Sequence, residues 1–235
     1  MTPTNHDGPL GLREMKRNAA RAALDFVEPG TVIGVGSGTT VWCFIDVLRE
    51  SGLHIGGAVV ASSETARRLA EIGVTILELD DGHPTLYIDG ADVVDMSGRA
   101  VKGGGAAHTR EKAVATASEY WACIVDATKV VRALSDETIP LEVQAAMADS
   151  VAEAICAMGG SARARPDVVT DAGNPVLDAS GISLVDPLAT ETALDAIPGV
   201  IECGVFARRT ADVILVGRAG GGVGRIIPHH EDAES

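Results

Sequence analysis

Lys102 and Glu111 are the two residues of this chain whose surroundings best suit proton-transfer chemistry. Lys102 precedes three consecutive glycines, Gly103-Gly104-Gly105. Such a run costs backbone entropy and is accepted where something must come close to the main chain. An ammonium beside it can stabilise a developing oxyanion. The loop runs into Thr109-Arg110-Glu111-Lys112, and Glu111 falls in the first turn of the next helix, where its carboxylate can face the same pocket. The plainer reading of Glu111 is an acid favoured there by the helix dipole. Arg110 and Lys112 read as a solvated face. Upstream, Asp89-Gly90-Ala91-Asp92 follows a short apolar run. Two carboxylates three residues apart can share a ligand or shift each other's pKa; the plainer reading is an Asp-capped turn. A third segment, Gly34-Val35-Gly36-Ser37-Gly38-Thr39-Thr40, suits an anion, with glycines that expose backbone N–H groups and hydroxyls on Ser37, Thr39 and Thr40. Thr39 stands where the dinucleotide fingerprint needs its third glycine, and no Gly-Lys-Ser/Thr is present for a Walker loop. Without a ligand this segment is a tight strand-to-helix turn.

The elements that must position these residues alternate. Leu12 to Val27 reads as a helix stopped by Pro29-Gly30, Thr31 to Gly36 as a buried strand and Thr39 to Leu48 as a helix. Ala58 to Ala61 is a strand. Ser62 or Ser63 caps a helix that ends at Gly73, and Val74 to Leu79 is a strand again. Leu86 to Asp89 is the next strand, Thr109 to Tyr120 a helix and Ala122 to Asp126 a strand. This alternation predicts a parallel sheet with helices on its faces, and such sheets bind ligands at their strand C-terminal ends. The pattern then changes. Pro140 to Val143 is extended, Gln144 to Met158 helical, and Val168 to Asp178 hairpin-like around Ala172-Gly173-Asn174-Pro175. Pro187 to Ile197 is a helix, and Asp212 to Val216 a strand returning to the main sheet. The expected architecture is α/β: a Rossmann-like parallel-sheet domain, residues 1–134 plus 206–235, with a smaller α+β domain, residues 135–205, inserted in it. The tail from Gly217 is Gly-rich, and His229 to Ser235 is polar and expected to fray.

Composition narrows the function classes. With 235 residues the chain can bury a core without staples, and 3% aromatics make that core aliphatic and Ala-rich. A net charge of −14 argues against nucleic acid and against an anionic membrane surface. Cys43, Cys123, Cys156 and Cys203 lack metal-ligand spacing and read as reduced thiols of a cytoplasmic protein. Met1 to Leu10 contains no apolar stretch of the signal-peptide kind. The longest uncharged run, Pro29 to Ile45, is broken by glycines and is not a bilayer span.

Taken together and in this order, these segments resemble the ribose-5-phosphate isomerase A family. Ser37-Gly38-Thr39-Thr40 stands at that family's phosphate-side loop. Asp89-Gly90-Ala91-Asp92, Lys102-Gly103-Gly104-Gly105 and Thr109-Arg110-Glu111-Lys112 match its most specific motifs. Asp126-Ala127-Thr128-Lys129, Ile139-Pro140-Leu141-Glu142-Val143, Thr170-Asp171-Ala172-Gly173-Asn174 and Ala196-Ile197-Pro198-Gly199-Val200 match further landmarks, so the likeness runs from about Glu14 to Val216. The resemblance implies an aldose–ketose isomerase assembled as a dimer or tetramer, needing no metal and no organic cofactor. It makes Glu111 the proton acceptor and places Asp89, Asp92 and Lys102 along the reacting carbons. Lys129 and the Ser37 to Thr40 loop would hold the substrate, lined also by Gly90, Ala91 and Gly103 to Gly105, and Lys16 would help bind its phosphate.

Three departures stand out. Val93 follows Asp92 where the family usually carries an acid. His108 replaces a common apolar residue and sits one helical turn before Glu111, unless it is simply a surface residue. Ser37-Gly38-Thr39 reverses the polar order of the usual Thr-Gly-Ser. The expected reaction is ribose 5-phosphate to ribulose 5-phosphate through an enediolate. The alternatives are an isomerase of a related sugar phosphate, which Val93 and His108 motivate, and a non-catalytic sugar-phosphate sensor. A sensor would normally carry a DNA-binding helix-turn-helix, whereas the residues before the first strand hold one helix and no basic cluster.

Overall fold

The structure is a computed structural model and describes residues 9–228. The frayed tail expected at His229 to Ser235, and residues 1–8 of the N-terminal segment, lie outside that range. The main sheet has seven strands: β1 (Val32–Val35), β2 (Gly57–Val60), β3 (Ile76–Leu77), β4 (Leu86–Asp89), β7 (Tyr120–Asp126), β14 (Val213–Gly217) and β15 (Val223–Ile226). Their spatial order is β15-β14-β7-β4-β1-β2-β3. Six run parallel, and β15 joins β14 antiparallel at the edge. The chain therefore reverses its direction of winding between β1 and β4, which opens a crevice at their C-terminal ends.

Helices cover both faces. α1 (Pro9–Ala23), α2 (Thr39–Ser51) and α3 (Ser63–Glu71) belong to one core with Ile33, Val35, Phe44, Leu48 and Ile88. Met15, Ala19 and Ala23 recur every fourth residue of α1 and form its buried stripe. On the other face α4 (His108–Ala117) packs Val114 and Ala115 with Tyr87, Trp121, Phe206 and Ile214. The expected helix Thr109 to Tyr120 thus stops earlier. Ser118 turns extended and bonds the Val114 carbonyl at 2.7 Å, and Tyr120 already opens β7. Of the two candidate caps for α3, Ser62 accepts the Thr65 N–H at 3.1 Å. The expected strand Val74 to Leu79 shrinks to two residues, because a turn from Glu78 to Gly82 ends it.

A second sheet, order β10-β11-β9-β12, is antiparallel throughout: β9 (Ile139–Val143), β10 (Ser161–Val169), β11 (Pro175–Ser180) and β12 (Val200–Cys203). α5 (Ala148–Ala157) and α6 (Pro187–Asp195) close its core on Ile139, Leu141, Ile155, Leu177 and Leu194. The helix expected from Gln144 opens as a 3-10 turn, Ala145–Met147, before α5 begins. A third sheet of short strands, β5 (Val93–Asp95), β6 (Ala100–Val101), β8 (Val130–Val131) and β13 (Val205–Phe206), has the order β13-β6-β5-β8 and carries Lys102 just past its β6 strand.

Candidate active site

β1 and β4 deliver the crevice its first two groups. β4 ends in Asp89, fully buried, and β1 runs into Gly36 and Ser37. A Cβ on Gly36 would lie 1.8 Å from the Asp89 carboxyl carbon, so only glycine lets the two strand ends approach this closely. Asp89 Oδ1 accepts the Ser37 N–H at 3.1 Å and the Gly90 N–H at 2.7 Å. Asp89 Oδ2 accepts the Tyr87 hydroxyl and the Lys102 ammonium, the latter at 2.6 Å.

Lys102 is buried at the centre. Besides Asp89, its Nζ reaches the Gly90 carbonyl at 2.6 Å and Glu111 Oε2 at 3.1 Å. The rings of Phe206 and Trp121, at 5.5 and 5.9 Å, add their negative faces. Glu111 comes from the first turn of α4, and its Oε1 accepts the Ser37 hydroxyl at 2.6 Å. One ammonium thus bridges two carboxylates, all but excluded from water. Burial raises the Asp89 pKa from 3.8 to about 6, and the Glu111 charge pushes the same way against Lys102. Burial alone would lower the Lys102 pKa, but Asp89 and Glu111 outweigh it and hold the ammonium charged.

The other end of the crevice gathers hydrogen-bond donors and positive charge. Gly38 precedes α2 without a side-chain cap, leaving the first-turn N–H groups free for a ligand. Lys16 of α1 donates to Thr39 Oγ1 at 2.8 Å. Asp126 caps the turn Ala127–Lys129 and carries Lys129 to the same cavity. That cavity has a volume of about 160 Å³, and every residue expected to be catalytic or substrate-binding lines it, with Val125 in addition. Asp92 sits at its exposed rim, where Oδ2 accepts the Gly104 N–H at 2.7 Å.

Two readings need correction. Lys112 is not on a solvated face: it is buried, with Nζ 2.9 Å from Glu191, 2.7 Å from Glu202 and 2.8 Å from the Cys203 carbonyl. Arg110 is exposed, as read. His108 is not a surface residue. It is fully buried, its Nε2 accepts the Glu142 N–H at 3.2 Å, and burial lowers its pKa. Val93 is buried beside Val101 and Leu141 and does not line the cavity. Tyr87 was missed, although the signal was there: two residues before Asp89 on a strand, it shares that residue's face. Among the described residues Asp195, Glu202 and Cys203 bring three possible metal-ligand atoms together. The Lys112 ammonium, 2.7 Å from Glu202 and 3.8 Å from the Cys203 sulfur, already supplies a cation there.

A parallel sheet wound like a dinucleotide fold, with a carboxylate–ammonium–carboxylate triad at its switch point and an anion cradle beside it, defines an α/β enzyme of the acid–base type. The model of ribose 5-phosphate isomerase A (phosphoriboisomerase A) matches residues 57–221. A relative from Acidithiobacillus ferrooxidans, ribose-5-phosphate isomerase A, is 43% identical over 212 residues, covering 90% of this chain and 97% of that one. The crystal structure of ribose 5 phosphate isomerase A from Neisseria gonorrhoeae superposes with a TM-score of 0.90 at 38% identity, over 93% of this chain and 98% of that one. A D-ribose-5-phosphate isomerase in complex with phospho-erythronic acid superposes at 0.86 and 34% identity, over 92% of this chain and 99% of the other. The chain belongs to the ribose 5-phosphate isomerase A family.

Proposed function

We infer that this protein interconverts ribose 5-phosphate and ribulose 5-phosphate, an aldose–ketose isomerisation of the pentose phosphate pathway. The observation that carries the reading is the shared environment of Glu111 and Lys102, both buried in one crevice 3.1 Å apart. Glu111 takes the proton from C2 of the open-chain aldose and returns it to C1. A positioned base of this kind contributes roughly 10² to 10⁴-fold. The electron pair moves into the C1–C2 bond and the carbonyl oxygen becomes anionic. Lys102 stands against that oxygen, a contribution on the order of 3 kcal/mol. Asp89 moves the proton from O2 to O1 and assists opening of the sugar ring. Asp92, at the rim, lies along the reacting carbons. No step requires electrons from outside the substrate.

The two ends of the cavity differ in charge, and that orients the substrate. Two carboxylates and one ammonium leave the chemical end net negative. Lys16, Lys129, the hydroxyls of Thr39 and Thr40 and the start of α2 make the other end positive. A phosphate fits the second end, and its binding energy positions the carbons at the first. The phospho-erythronic acid named with the structural relative carries a phosphate, the group the positive end would take.

The antiparallel sheet and its two helices, residues 135–205, form the smaller domain of this reading and provide contacts between copies in a cytoplasmic homodimer or homotetramer. Among the described residues no helix is long and apolar enough to cross a membrane. The test is turnover of a panel of aldose phosphates in the presence of a chelator. Ribose 5-phosphate is expected to be converted fastest, at an undiminished rate. A clear preference for another sugar phosphate, or loss of rate with chelation, contradicts the reading.

A further inference from the structure

Arg165 reaches the glycine loop of the active site from a different sheet. It lies in β10, where pairing with β11 shifts register between Ala164 and Val169 and Asp167 takes a φ of 58°. Its guanidinium grips Asp178 twice, Nε to Oδ2 at 2.8 Å and Nη2 to Oδ1 at 2.6 Å. The remaining nitrogen, Nη1, donates to the Gly103 carbonyl at 2.7 Å and the Gly104 carbonyl at 3.2 Å. The side chain is 16% exposed, so water competes little for these bonds.

Those carbonyls belong to the segment that sets the pocket. Lys102 immediately precedes them, and the Gly104 N–H holds Asp92 at 2.7 Å. Gly103 has a φ of 110°, and a Cβ there would come within 2.7 Å of His108 Nδ1 and 2.9 Å of the Pro140 Cβ. Packing therefore restrains the Gly103 peptide, and Arg165 fixes the direction of its carbonyl. Within the loop's own turn the Gly103 carbonyl also accepts the Ala106 N–H at 3.0 Å, and Arg165 adds a tie to it from the second sheet.

We propose that Arg165 is a positioning residue for the isomerisation, holding the Gly103-Gly104 carbonyls so that Lys102 and Asp92 keep their places against the substrate. The planar fork of Arg is required, because one side chain must meet both oxygens of Asp178 and two carbonyls together. A Lys at this position reaches part of that set. The proposal rests on the isomerase reading.

The test compares Arg165→Met, Arg165→Lys and Asp178→Asn with the unaltered protein, using ribose 5-phosphate turnover and hydrogen exchange of the Lys102 to Gly105 amides. Arg165→Met is expected to lower kcat by roughly 10 to 100-fold with KM nearly unchanged, since small misplacements of reacting groups act on the chemical step. Arg165→Lys is expected to recover part of the loss, and Asp178→Asn to show an intermediate one. Loop amides are expected to exchange faster in Arg165→Met. An unaltered kcat in a folded variant, or a raised KM with kcat intact, overturns the proposal. Should Arg165→Met fail to fold, the other two variants carry the same outcomes. If the unaltered protein shows no isomerisation, the parent reading fails. Unchanged loop exchange then overturns the positioning claim by itself.

Discussion

Asp89 is a site carboxylate whose ionisation the fold makes costly. Its folded pKa, near 6, lies above the ordinary 3.8, so between those values the native state binds a proton that the unfolded chain does not. The ionised carboxylate thus costs stability above pH 6, and the cost is relieved as pH falls through 6. For activity the sign is opposite, because moving a proton between substrate oxygens starts from the carboxylate. The acid limb of kcat/KM is expected to bend near pH 6. The substrate phosphate also titrates near 6, so the comparison with Asp89→Asn separates the two. Its residual activity is expected to lose the enzyme's share of the limb; an identical limb in both proteins assigns it all to the phosphate.

At the scale of elements, α4 does two jobs on two neighbouring faces. Glu111 faces the crevice, while Lys112 ties the helix to α6 through Glu191 and to β12 through Glu202. Removing Lys112 takes the ammonium from buried Glu191 and half-buried Glu202, which keep only backbone N–H bonds and, for Glu191, Arg208 at 3.8 Å. Breaking such a buried pair typically costs about 3 to 5 kcal/mol, so Lys112→Met is expected to lower the unfolding free energy on that scale in a denaturant titration. A loss under 1 kcal/mol would show that the charges rehydrate freely. The sequence misread this residue for a physical reason. His-Thr-Arg-Glu-Lys is a polar run, and a polar run reads as solvated until its partners are known; here they arrive 79 and 90 positions later. The two readings of His108 stayed open for the same reason, its partner at Glu142 lying 34 positions on. Apart from β3, whose extent was overread, the parallel strands were legible because they are short apolar runs that end at or near a glycine or a capping residue. The two-residue strands β6, β8 and β13, and β15 in the Gly-rich tail, were not, since they owe their extension to neighbours rather than to their own pattern.

For the whole molecule, a net charge of −14 surrounds a cavity that must accept an anion. Local placement resolves this: Lys16 and Lys129, drawn from two separate elements, converge on one end of the cavity with the start of α2. The candidate residues on the strand ends and the glycine loop were legible because they sit in compact motifs with glycine, whereas Lys16 and Lys129 were reached only through the family resemblance. Arg165 was not, because nothing in its own stretch of sequence points to a loop 62 positions away. The account depends on Glu111 and Lys102 acting on one substrate. Replacing Glu111 by Gln, with turnover of ribose 5-phosphate and its binding by calorimetry both measured, tests this most directly. Turnover is expected to fall by on the order of 10² to 10⁴-fold while binding persists. Turnover close to that of the unaltered protein would contradict the account.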